Sequence, residues 1–245
     1  MSSVLIILLG IIIGIIIAFT ILLFCFKLYL KKTLGANYSI LKDEIKNIGT
    51  NRKMEYSKEK SIGGMTNIVE PRIMEDFESF NKDVLYTKVK EDILSVLNYF
   101  TEKKVEDNKE LILIKHYLKE TISNMIENSI EEKFKNPKVL RTVIKDYKKF
   151  KGAATITLSS SVSFYYETNK KVVQYDDVRK YVRIDTEYVY VYDENEFENE
   201  THFSLNCPSC GASIKNISGT CAYCAAYIEP INLKAWKINK IEIKE

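Results

Sequence analysis

The chain has 245 residues, 46% of them hydrophobic and 28% charged, with a formal net charge of +3. That length allows one medium domain with additions, or two small ones. So small a net charge, with no arginine-rich cluster, excludes nucleic acid as an expected partner.

The apolar residues are concentrated at the start. No charged residue occurs between Val4 and Phe26, a run built mainly of Ile, Leu, Val, Phe and Gly. As a helix rising about 1.5 Å per residue it reaches about 34 Å, enough to cross a hydrocarbon core of about 30 Å. Residues 4–26 are therefore expected to be a single transmembrane helix after a short external N-terminus, residues 1–3. A cleaved signal peptide needs a basic start, and Met1-Ser2-Ser3 has no side-chain charge. A lipid anchor on Cys25 is rejected because the bulky Phe24 stands where processing wants a small residue. Lys27, Lys31 and Lys32 follow the span and nothing basic precedes it, so the positive-inside rule places the C-terminal domain in the cytoplasm. The expected location is the cell membrane, single-pass. Gly10 and Gly14 form a small-xxx-small pair through which two copies can approach as a homo-oligomer, although glycine is common in membrane helices generally.

Leu30, Leu34, Tyr38, Leu41, Ile45 and Ile48 recur at spacings of three and four, which predicts a juxtamembrane amphipathic helix over 27–48. Residues 49–70 lose that period and end in Gly63-Gly64, the pattern of a flexible linker. A domain over 71–245 follows. Pro71 opens a helix carrying Ile73, Phe77 and Phe80. A second helix carries Leu85, Val89, Ile93, Val96, Leu97 and Phe100. Asp107-Asn108 caps a third, with Leu111, Ile114, Leu118, Ile122, Met125, Ile126 and Ile130, ending before Asn136-Pro137.

The period then changes to two. Ala154, Ile156, Leu158, Ser160, Val162, Phe164 and Tyr166 alternate with Thr155, Thr157, Ser159, Ser161, Ser163 and Tyr165, the pattern of a long half-buried strand. Further strands are expected over Val139–Tyr147, Val178–Tyr192 and Leu233–Ile243, the last carrying Trp236. Helices followed by strands, without alternation, indicate an α+β domain whose helices pack on a curved antiparallel sheet.

Between the last two strands lies Cys207-Pro-Ser-Cys210-Gly, then ten residues, then Cys221-Ala-Tyr-Cys224. A two-residue gap lets both sulfurs of one turn reach the same ion, and two such turns complete a tetrahedral four-thiolate zinc site. Paired disulfides would instead give two redox motifs, without the βαβ pattern that accompanies them. Four thiolates leave no position for water or substrate, so Zn2+ here is expected to be structural. Residues 204–232 then form a zinc ribbon inserted between the last two strands.

No catalytic residue is expected. His116 sits on a predicted helix as a surface or boundary residue and His202 at a strand end. Asp176-Asp177 and Asp193-Glu194 look like turn and strand-end acids, and no phosphate loop or nucleophile elbow is present.

The helices after a proline, the long alternating strand, the Tyr-rich strand, the Cys-Pro-x-Cys-Gly and Cys-x-Tyr-Cys knuckles and a final strand with Trp236 and Ile238 resemble one bacterial group. These are membrane-anchored, zinc-ribbon-containing relatives of the C-terminal domain of the mitochondrial inner-membrane import scaffold (translocase of inner membrane, subunit forty-four). The resemblance covers roughly residues 71–244 and is most specific from Phe203 to Trp236. Ala225 follows the second knuckle where a glycine is usual. The resemblance implies a cone-shaped fold like nuclear transport factor two, and a binding module rather than an enzyme.

The expected function is thus a membrane-tethered cytoplasmic scaffold with a protein partner, serving protein transport or membrane-complex assembly. The alternative is lipid or small-ligand binding through the concave face of the sheet. An enzyme of the same fold ranks third; a buried acid with a raised pKa in the cavity of the sheet would be its sign.

Overall fold

The computed structural model describes residues 58–59, 61–169, 179–200, 202–215 and 219–244. The transmembrane and juxtamembrane assignments, with Gly10 and Gly14, and linker residues 49–57 and 60 lie outside the described residues. Among the described residues no helix is long and apolar enough to cross a membrane. All of them belong to one unit, Glu55–Glu245.

Helix α1 spans Thr66–Asp76 and α2 spans Lys82–Glu102. A 3-10 turn over Lys109–Ile114 runs directly into α3, Lys115–Glu127. Strands β1 (Glu132–Lys149), β2 (Ala153–Thr168) and β3 (Arg179–Val191) follow. Then come the short α4 (Glu194–Glu198), four two-residue strands, β4 (Leu205–Asn206), β5 (Ser213–Ile214), β6 (Gly219–Thr220) and β7 (Tyr227–Ile228), and β8 (Lys237–Lys244). The main sheet is antiparallel in the order β1-β2-β3-β8, so the short strands all occur in the connection between β3 and β8. The architecture is α+β, with helices against a curved antiparallel sheet.

Local chemistry explains the helix starts. The Asn81 side chain accepts from the backbone N–H groups of Asp83 and Val84, and Asn108 accepts from Glu110 N–H, so each opens its element as an N-cap. Two boundaries differ from expectation. The first helix begins at Thr66, five residues before Pro71, so Thr66–Glu70 are helical rather than linker. What fixes them is β1: Met65 N–H donates to Ile144 O at 2.8 Å, and Ile144 N–H donates to Thr66 Oγ1 at 2.9 Å. The third helix stops at Glu127, and β1 starts at Glu132, well before the expected Val139. Ser129, at φ 51°, makes the reversal. Asn136-Pro137 does not break this strand because the pair sits in a bulge of an edge strand, between Lys135 and Lys138, where a missing N–H costs no ladder bond. Two further register shifts in β1 bend it and curve the sheet.

The alternation in β2 sends Ile156, Leu158, Val162 and Phe164 into a core shared with Ile73, Val89, Ile93, Leu97 and Leu118 of the helices. Each fully buried aliphatic chain of this kind contributes about 1.5–3 kcal/mol. Ser160 lies on the same face and shares a hydrogen bond with Thr142 Oγ1 at 3.0 Å, so its hydroxyl is not stranded. Phe164, Phe134 and Phe100 fill one end of that face. At the other, Trp236, just before β8, meets Phe77, Phe80 and Tyr190 edge-on or tilted. The last strand is therefore shorter than expected, and Leu233 belongs to a second core. That core joins Leu113, Val189, Val191 and Phe197 to Leu205, Ile214, Ile228 and Ile231 of the β3–β8 connection.

Candidate metal centre and the cleft beside it

Two hairpins, β4 with β5 and β6 with β7, each present one Cys-x-x-Cys turn. The same hydrogen bonds build both. Cys207 N–H donates to Ala212 O at 2.8 Å and Gly211 N–H to Cys207 O at 2.8 Å; Cys221 N–H donates to Ala226 O and Ala225 N–H to Cys221 O, both at 2.9 Å. This pattern puts the residue after each knuckle in the left-handed region. Gly211 (φ 72°) accepts it without strain, whereas Ala225 (φ 56°) holds a conformation its side chain disfavours. The missing glycine noted in the sequence has changed the residue and left the turn unchanged.

The turns bring the four sulfurs together. Cys207, Cys210, Cys221 and Cys224 are free thiols whose sulfurs all lie within 4.8 Å of one another. The Cys207–Cys224 pair is 4.0 Å apart and the Cys210–Cys221 pair 3.9 Å. Tetrahedral bonds of about 2.3 Å to a central ion would set sulfurs about 3.8 Å apart, so the cluster is close enough to bind a metal ion. Backbone N–H groups of Cys224 and Tyr223 point at Cys221 and hold its thiol down at about 7. Cys210 receives the Ala212 N–H, but burial and the neighbouring sulfurs push it up to about 12. Thiols this close cannot all ionise without a cation among them.

The first knuckle rests on the helical layer. His116 Nδ1 lies 3.1 Å from Ser209 O, and a Cβ at Gly211 would fall 2.5 Å from His116 Cδ2. The half-buried His116 is thus a boundary residue with a specific task. Between this contact and β8 opens a cleft of about 700 Å³. His116, Tyr117 and Glu120 form one wall; His202, Phe203, Asn206 and Lys215 form the other; Asn239, Lys240 and Glu187 form the floor. Asn239 stands at a register shift between β3 and β8, and such bulges re-aim side chains. Its Nδ2 donates to Glu187 Oε1 at 3.0 Å, while its buried Oδ1 has no partner. Both histidines of the chain meet at this cleft, although nothing in their sequence positions connects them.

A second polar group lies inside the main core. Tyr188 Oη donates to Asp92 Oδ2 at 2.7 Å, Lys88 Nζ is 3.6 Å from the same oxygen, and Glu110 bridges Lys88 and Lys237. Burial raises the Asp92 carboxyl above its ordinary value and the Tyr188 hydroxyl well above its own. A buried, raised acid is the feature an enzymatic reading would require, yet Asp92 does not line this cleft. The sequence did hold a signal for it: Asp92 falls on the apolar face of α2 among Val89, Ile93 and Val96. Among the other acids, Asp193 accepts from Glu196 N–H as the N-cap of α4, and Asp176-Asp177 lie outside the described residues.

No protein-family model matches the chain, and no curated protein aligns with it.

Proposed function

We propose that the chain is a membrane-tethered, cytoplasm-facing protein-interaction module whose working end is a zinc-clasped pair of knuckles. The observation that carries this reading is the second knuckle. Tyr223, in the turn, and Tyr227, at the start of β7, are 73% and 69% exposed on a hairpin whose turn is fixed by two cysteines and two backbone hydrogen bonds. Exposed tyrosines on a rigid support favour a protein interface, because they offer large contact area at little conformational cost. Zinc is the ion of choice for four thiolates at this spacing, and its filled coordination sphere gives it a structural part. The apolar run from Val4 to Phe26 supplies the tether. The resemblance to the import-scaffold domain belongs to this proposal, with protein transport or membrane-complex assembly as the service performed.

A photocrosslinking amino acid at Tyr223, in the full chain in cells, tests the proposal. The expected product is a discrete adduct with a membrane or secretory protein, lost in Cys221→Ser. Absence of any adduct at both Tyr223 and Tyr227 would refute it.

The alternative, binding of a lipid or small ligand, is favoured by a different place from the one expected. The helix-facing side of the sheet is filled by Phe164, Tyr188 and their neighbours. The cleft floored by Asn239 has a volume within the range of small-molecule sites.

A further inference from the structure

The face of the sheet turned away from the helices carries a row of residues in register across all four strands. Arg141 on β1 is opposite Ser161 on β2, Ser161 is opposite Arg183 on β3, and Arg183 is opposite Lys244 on β8. Residues directly opposite share a face, so three cationic side chains and one serine stand side by side, about 5 Å from strand to strand. Like charges placed this way repel, and a fold keeps such a row only where something offsets it.

The neighbouring rows offset the charges of Arg183 and Lys244 but not that of Arg141. On one side, Val143, Ser159, Asp185 and Glu242 align. Asp185 takes hydrogen bonds from Ser159 (2.7 Å), Lys145 (3.0 Å) and Lys244 (2.9 Å), and Arg183 Nε stands at 3.6 Å from it. Glu242 is 3.3 Å from Lys244. On the other side Lys138 faces Ser163, whose hydroxyl accepts from Arg179 Nε at 2.9 Å. Among the described residues Arg141 has no ion pair. Positive charge therefore collects at the Ser161–Ser163 end, and the carboxylates collect at the other.

Two groups in the row are left without a hydrogen bond. Ser161 is 0% exposed and its Oγ has no hydrogen-bond partner, and Arg183 Nε is likewise buried without a hydrogen bond, its ion-pair distance to Asp185 Oδ1 being 3.6 Å. Both can donate, so the chemistry missing between them is an acceptor. A buried unsatisfied polar group in a native fold calls for such an explanation.

We infer that this row is a binding site for a phosphate monoester. The guanidinium groups of Arg141 and Arg183 clasp the dianion from either side, in the forked geometry that suits phosphate oxygens, and Ser161 Oγ donates from the strand between them. Convergence on one register position favours a discrete dianion over a bilayer surface, which would engage charges spread across the face. The inference is independent of the interaction-module reading.

The test is calorimetric titration of the full chain, in neutral detergent at low salt, with phenyl phosphate as the probe. Saturable binding is expected, weakened roughly tenfold or more by Arg183→Gln and by Arg141→Gln, as loss of one charge-assisted pair implies, and several-fold by Ser161→Ala. Arg141 is exposed, so its replacement leaves folding intact. Absence of saturable binding would overturn the assignment, as would equal affinity in all three variants, which would mean an adventitious ion only. Tighter binding of dimethyl phosphate, or of phosphatidylglycerol vesicles, would also overturn it and assign the face to diesters or to membrane.

Discussion

His116 Nδ1 stands 3.1 Å from the carbonyl oxygen of Ser209, joining α3 to the first knuckle across 93 residues of sequence. Through this contact the knuckles are seated on the domain instead of hanging from it. Leu113, one turn earlier, enters the second core with Leu205 and Ile214 of the first hairpin.

Replacing His116 by Ala should loosen this seat and leave the metal cluster intact. The expected loss is about 1 kcal/mol, one hydrogen bond and some ring packing. Hydrogen exchange should quicken over residues 205–214 with metal content unchanged; unchanged exchange there would deny His116 the docking part.

The residues after the two knuckles should respond oppositely to exchange of Gly and Ala. Gly211→Ala places a Cβ in the left-handed region and against His116, and should cost about 2 kcal/mol or more. Ala225→Gly relieves strain at φ 56° and should be neutral to stabilising by up to about 1 kcal/mol, the gain being reduced by glycine's freedom in the unfolded chain. Urea midpoints of the two variants measure this contrast.

Much of this was legible in the sequence, and the failures have physical causes. The knuckles could be read because four-thiolate chemistry demands a fixed spacing. The helices and β2 could be read because their periods are 3.6 and 2. The early start of β1 could not, because Asn136-Pro137 looks like a terminator until its edge position is known. The cleft was also hidden: Asn239, His116 and His202 converge only once β8 returns beside β3. The outer row is another product of register, since Ser161 reads as one of several alternating serines and gains meaning only opposite Arg141 and Arg183.

Asp92 offers a test of whether the inner network is structural. Its carboxyl is raised by burial, so the cost of its charge appears as pH rises through 3.8, the ordinary value, and persists at neutrality. Asp92→Asn keeps an acceptor for Tyr188 and should be neutral or slightly stabilising at pH 7. Asp92→Ala leaves the Tyr188 hydroxyl unsatisfied and should cost about 1–3 kcal/mol. If both variants lose stability equally, the charge itself is needed and its pairing with Lys88 outweighs the cost of its burial.

Asp185 should govern acid sensitivity. Burial acts to raise it, but Lys244, Ser159 and Lys145 outweigh burial and hold it at about 2. A carboxyl depressed in the folded state contributes stability above its unfolded value of 3.8, and that contribution is lost as pH falls through about 2. Between about pH 4 and pH 2 the wild-type chain should therefore lose more stability than Asp185→Asn, as followed by acid unfolding of the two. Parallel curves would contradict the pairing.

The claim that the cysteines clasp a structural zinc ion is met most directly by metal analysis of the full chain extracted in neutral detergent. One zinc ion per chain is predicted, retained through dialysis and lost in Cys210→Ser, with the four thiols unreactive until the metal is chelated. Protein that is fully folded without metal, with Cys207, Cys210, Cys221 and Cys224 freely reactive, would contradict it.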